Sequence, residues 1–88
     1  MFEPVLSQDA DRFLRKVDKQ VEERIRKTLK RKIINEPVPS DAKFIGWHEG
    51  EKVFRIRIGD YRAIYKVKYD KNIILISKID KRPRIYDR

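Results

Sequence analysis

Arg55, Arg57 and Arg62 are the residues of this chain best suited to chemistry on a phosphate, because a guanidinium is permanently charged and its fork of donors matches phosphate geometry. They lie in the segment VFRIRIGDYRAIY, residues 53–65. Phe54, Ile56 and Ile58 alternate with Arg55 and Arg57, a Gly59-Asp60 turn follows, and Tyr61, Ala63 and Tyr65 alternate with Arg62 and Ile64. That pattern reads as a β-hairpin. With a two-residue loop Ile58 stands opposite Tyr61, so Arg57 faces Arg62 across the strands and Arg55 follows on the same face. Like charges directly opposed destabilise a sheet by an amount comparable to the ~0.2–1 kcal/mol of a favourable cross-strand pair. The spacing therefore predicts a compensating polyanion outside the sheet. The same alternation is also what the wet face of a half-buried hairpin shows in any basic protein.

Composition narrows the choice. The chain has 88 residues, enough for a single domain spanning 1–88 but too few for both a deep core and a cofactor-sized cavity. Cysteine is absent and His48 is the lone histidine, which leaves no thiolate zinc site or metal cluster, and no cofactor is expected. No apolar run approaches the ~20 residues of a membrane span and no basic-then-apolar leader is visible, so the chain reads as cytosolic. A net charge of +9 implies attraction to nucleic acid, an acidic protein or an anionic membrane surface. The excess is uneven: residues 55–88 hold 11 basic and 4 acidic side chains, whereas residues 36–52 hold 2 basic and 4 acidic. Abundant Lys, Arg, Glu and Ile with no Cys also fits a heat-adapted source.

Several elements must position the arginines. Residues 2–6 read as a short strand, and Pro4 places it at a sheet edge because proline cannot donate to the ladder. Ser7 or Asp9 can cap a helix. Ala10, Phe13, Leu14, Val17, Val21, Ile25, Thr28 and Leu29 keep a 3.6-residue stripe that fits either one long helix or two broken near Asp18, whose side chain would cap the second. Asn35, Glu36, Pro37 and Pro39 end it. The stretch through Lys52, with Gly46, Gly50 and the apolar Phe44, Ile45 and Trp47, reads as an ordered loop with Trp47 as its plug. The hairpin follows, running to about Tyr69, then a turn at residues 70–72 and a last strand at 73–79 whose apolar run on both faces near residues 73–76 places it inside the sheet. Tyr61, Tyr65 and Tyr69 share the face of Phe54 and Ile56 and count as core. His48 reads as solvent-facing or capping. The expected class is α+β, with helices packed on one face of a mostly antiparallel sheet of about four strands.

The short strand, helical stripe, loop, FRIRIGDYRAIY hairpin and KRPRIY tail together resemble the RelE/ParE superfamily of bacterial and archaeal toxin–antitoxin toxins, over nearly the whole chain. The hairpin motif is shared by RelE-like and ParE-like members, whereas a tail arginine followed by a tyrosine is similar to the RelE branch. The resemblance implies a helical hairpin on a RelE-like sheet, a small acidic or amphipathic RelB-like antitoxin, and a toxin that enters the ribosomal A site. There it cleaves messenger RNA, without a metal, by letting the substrate's 2′-hydroxyl attack the adjacent phosphate. Arg62, Arg82 and Tyr86 then match the family's catalytic positions. Arg55, Arg57, Arg84, Lys52 and Lys81 are the candidate substrate-binding residues, with Arg55, Arg57 and Arg84 equally suited to antitoxin carboxylates. Arg55 and Arg57 stand where some relatives carry lysine, and Asp80-Lys81 where many carry a histidine. Arginine does not give up its proton near neutral pH, so the general base is open among Lys52, Lys66, Lys81 and Tyr86. Two other functions fit the same residues: a ParE-like inhibitor of DNA gyrase that hydrolyses nothing, and a non-catalytic basic nucleic-acid-binding module.

Overall fold

The structure, a computed structural model, describes residues 2–81. The element order is β1 (Glu3–Leu6), α1 (Gln8–Lys16), α2 (Lys19–Ile33), β2 (Lys43–His48), β3 (Glu51–Ile58), β4 (Tyr61–Lys68) and β5 (Ile73–Lys81). Five strands form one sheet in the order β1-β5-β4-β3-β2. β1 runs parallel to β5 and every other pairing is antiparallel. β1 sits at the edge, as Pro4 requires, and β5 is flanked on both sides, as its apolar run requires.

The helical stripe divides into two helices. Ser7 caps α1 by accepting from the Ala10 amide at 3.1 Å, and its hydroxyl donates to the Ser77 carbonyl at 2.7 Å, which ties the helix start to β5. Val17 is extended, with φ −87° and ψ 164°, and breaks the helix without glycine or proline. Asp18 occupies the N-cap of α2 but its side chain makes no capping hydrogen bond, contrary to the role its position suggests. Ala10 and Leu14 of α1 and Ile25, Leu29 and Ile33 of α2 pack with Ile56, Ile58, Tyr61, Ala63, Tyr65, Ile74, Ile76 and Ile79 of the sheet. These alternate strand positions commit one sheet face to the core.

The loop expected before Lys52 is in fact a fifth strand, β2. Its apolar residues do not alternate, because the register with β3 slips between Phe44 and Gly46, and one extra residue lets Phe44 and Trp47 share a face three positions apart. Gly46 holds the bulge at φ 147°, a backbone angle that side-chain-bearing residues rarely adopt. The same irregularity leaves Trp47 exposed at 65% rather than plugging a loop. Tyr61 and Tyr65 are buried, but Tyr69 falls past the end of β4 and is exposed, so it is not core. Tyr65 donates to the Pro37 carbonyl at 2.6 Å, and its burial, with Asp41 and Tyr69 nearby, raises its pKa well above the ordinary tyrosine value.

A candidate phosphate-binding face

The β3–β4 hairpin has the expected two-residue loop. Gly59 takes φ 59°, the first-position requirement of a type II′ turn, and Ile58 pairs with Tyr61. Arg57 therefore stands opposite Arg62, with Arg55 opposite Ile64, all on the face away from the helices. Across β4 the ladder places Asp80 opposite Arg62 and Lys78 opposite Ile64, and across β3 it places Lys43 opposite Arg55. Two adjacent rows, Lys43-Arg55-Ile64-Lys78 and Arg57-Arg62-Asp80, thus carry five cations and one carboxylate, separated along the strands by about 7 Å. Asp80 corrects the expectation that the compensating charge is wholly external, since one carboxylate already stands in the sheet beside the arginine pair. Arg55 is only 6% exposed, while Arg57 is exposed and Arg62 half-buried. Both Arg55 and Arg62 also make contacts within the protein.

A second charged cluster occupies the far end of the same face. Lys66 Nζ lies 2.8 Å from His48 Nδ1, 3.3 Å from the His48 carbonyl, 3.5 Å from Glu51 and 3.7 Å from Glu49, with its side chain 8% exposed. Lys68 Nζ reaches both Glu51 oxygens at 2.7 and 2.9 Å. An ammonium has no acceptor, so it donates and His48 Nδ1 accepts, which puts the ring hydrogen on Nε2. The hydrogen bond from Lys68 is the main reason the Glu51 carboxyl is held below its ordinary value. Sequence reading missed this cluster. The signal was present as Glu49-x-Glu51 facing Lys66-x-Lys68, but only the register of β2, β3 and β4 shows that the pairs meet.

Arg55, Arg57 and Arg62 come together. Lys66, four residues along β4 from Arg62 and so about 13 Å away, has its ammonium directed at acceptors of its own cluster. Lys52 and Lys81 fall on the helix side by strand alternation, at opposite ends of the sheet: Lys52 lies over the Trp47 ring at 5.8 Å, and Lys81 pairs with Tyr61. Arg82, Arg84 and Tyr86 lie outside the described residues. Among the described residues no group of three or more His, Cys, Asp or Glu side chains could hold a metal ion, and no helix is long and apolar enough to cross a membrane.

Comparison with known proteins gives the face its context. The family model for the ParE toxin of the type II toxin–antitoxin system parDE matches residues 5–86. No curated protein sequence matches the chain significantly. Among solved structures the chain is similar to the archaeal RelE–RelB complex from Pyrococcus horikoshii OT3, with 27% identity, TM-score 0.71, and coverage of 96% of this chain and 98% of that one. It shares its fold with the isolated RelE toxin of E. coli, at 20% identity and TM-score 0.75, covering 92% of this chain and 84% of that one. The RelBE2 complex of Mycobacterium tuberculosis also has this fold, at 21% identity and TM-score 0.71 over 92% and 98% of the two chains. With two helices on a mostly antiparallel sheet and a family match over nearly its whole length, the chain belongs to the RelE/ParE superfamily of type II toxin–antitoxin toxins and is RelE-like.

Proposed function

We propose that the protein is a ribosome-dependent messenger-RNA endonuclease that acts in the cytoplasm, cleaves in the A site without a metal, and is neutralised by a small acidic or amphipathic RelB-like antitoxin. The observation that carries this reading is the grouping of Arg55, Arg57 and Arg62 on the sheet face that the helices leave open. In the reaction the substrate's 2′-oxygen attacks phosphorus and the bond to the 5′-oxygen breaks. The 2′-hydroxyl gives up a proton and the leaving 5′-oxygen takes one, leaving a 2′,3′-cyclic phosphate and a 5′-hydroxyl. The pentacovalent phosphorane gains negative charge along the way, and guanidinium donors already held in place stabilise it more than they do the ground state.

Arg62 is assigned to that charge, with Arg82 and Tyr86 completing the site from the tail. Arg57 and Arg84 are assigned to flanking phosphates, and the buried Arg55 to a positive charge beneath them. Lys52 and Lys81, on the other face, are assigned to strand segments that pass round the sheet ends. Tyr86 supplies either a stacking ring or the acid–base hydroxyl. A second reading, gyrase inhibition by protein contact with no hydrolysis, is favoured by the match to a ParE toxin model. Two assays side by side separate the readings: a toeprint of purified ribosomes programmed with a defined message, and supercoiling by purified gyrase. Cleavage within the A-site codon, seen only when ribosomes are present, supports the nuclease. An intact message together with inhibited gyrase supports the second reading.

A further inference from the structure

Among the described residues, Val5, Val38, Phe44, Trp47 and Tyr69 are the large apolar side chains that are exposed, and the three aromatic ones belong to one corner. Phe44 meets Trp47 edge to face at 6.0 Å and Phe54 at 6.1 Å. Phe54 and Tyr69 in turn line a groove of about 510 Å³ together with Lys52, whose ammonium lies over the Trp47 ring at 5.8 Å. Two cations therefore stand beside the rings: Lys52, opposite Trp47 in the ladder, and Lys43, which precedes Phe44 on β2. Among the described residues neither has a carboxylate partner, because Asp41, Glu49 and Glu51 are engaged by Lys32, Lys66 and Lys68. Glu51, the carboxylate on the groove wall, is held by Lys68 at 2.7 Å and so does little to repel an anion. Clustered exposed apolar surface marks an interaction site, and here it comes with unpaired positive charge.

We propose that this corner is a stacking platform for unpaired RNA bases, on which Trp47 and Tyr69 each receive a base while Lys43 and Lys52 hold phosphates. It extends the nuclease reading, on which the choice of RNA rests, by giving the strand a path off the arginine face. Lys43 belongs to the row Lys43-Arg55-Ile64-Lys78 on that face, and β2 is an outer strand. A strand crossing the row can therefore turn round the β2 edge without meeting another element of the sheet. Trp47 lies four positions on from Lys43, at most about 14 Å along β2, a span that a few extended nucleotides cover. Sites for single-stranded nucleic acid combine these same parts: a cationic track, and aromatic faces on which successive bases stack whatever their identity. The residue types favour RNA over an acidic peptide. Trp47 and Tyr69 project from the sheet and are not enclosed, so they offer planar faces, which suit a base, whereas an aliphatic side chain gains most where it is surrounded. Lys52 already couples a cation to the Trp47 ring, and a base stacked there brings its own phosphate towards the same ammonium.

Fluorescence of the full chain titrated with an oligouridylate carrying 2′-O-methyl groups tests the proposal without ribosomes and without cleavage, since the methyl group blocks attack by the 2′-oxygen. Trp47 is the sole tryptophan, so stacking should quench its emission. Poly-glutamate has the charge but no bases and should leave the emission unchanged. With a labelled oligonucleotide read by anisotropy, Trp47→Ala should weaken binding by about fivefold or more, Trp47→Phe should restore most of it, and Tyr69→Ala should cause a loss of its own. Lys52→Gln should lower the slope of log affinity against log salt by about 0.7, the contribution of one phosphate contact on a single strand. An absence of quenching by RNA would overturn the platform, as would a Trp47→Ala chain that binds RNA as tightly as the parent. Equal quenching by poly-glutamate would make the corner a docking site for an acidic protein and overturn it too. A toeprint without cleavage alongside an intact quench would count against the nuclease reading alone and leave the platform standing.

Discussion

The arginine pair is held in a balance that single substitutions expose. Arg57 and Asp80 flank Arg62 on either side in the ladder, so removing Arg62 relieves one repulsion and loses one attraction, each of order 0.2–1 kcal/mol. Arg62→Ala should therefore shift the melting temperature by only a few degrees while lowering single-turnover cleavage by roughly 10²–10³-fold, the usual cost of removing one transition-state donor. A large loss of stability would make Arg62 a structural residue instead. Glu51 tests the other cluster. Its folded pKa is held below its unfolded value of 4.5 by Lys68 first and Lys66 second, so the stability it contributes is present above the unfolded value and is lost as pH falls through the folded one. Asp41 behaves likewise through its 2.6 Å contact with Lys32. Melting followed from neutral pH down through the carboxylate range should show a fall that is smaller in Glu51→Gln, and an unchanged slope would contradict the assignment. Arg57 facing Arg62 was legible from alternation and the Gly59-Asp60 turn, because period and loop length fix a hairpin register. The Lys66–His48–Glu51 cluster was not legible, because it depends on which strands are neighbours.

At the scale of elements, β2 is the strand that pattern alone does not show. A bulge breaks the two-residue period on which strand recognition rests, and two glycines look like punctuation. Gly46 carries that bulge, and no atom lies within 4 Å of where its Cβ would stand. Gly46→Ala should thus cost stability through backbone strain, of order 1–3 kcal/mol in denaturant unfolding, and not through a clash. An unfolding midpoint equal to the parent would show that β2 tolerates a different register. The helix break at Val17–Asp18 was equally undecidable from the stripe, since both one helix and two bury the same apolar positions; the family resemblance is what favoured two. The edge placement of β1 followed directly from Pro4.

For the molecule as a whole, the fold gives the two sheet faces different surroundings. The helices cover one sheet face and the arginine rows occupy the other. Cleavage by the open face predicts strong dependence on ionic strength: doubling the salt from a low starting value should slow association with programmed ribosomes several-fold, read by the concentration needed for half-maximal single-turnover rate. Removing the chain from Arg82 onward leaves every described strand and helix in place. It should preserve folding while abolishing cleavage, as judged by circular dichroism and the toeprint together. The most direct measurement is analysis of the cleaved ends on a message carrying a single 2′-deoxynucleotide at the attacking position. The account predicts a 2′,3′-cyclic phosphate and a 5′-hydroxyl from the all-ribose message, and no cleavage at the 2′-deoxy position. Cleavage that persists there, or no ribosome-dependent cleavage of the all-ribose message, would contradict it.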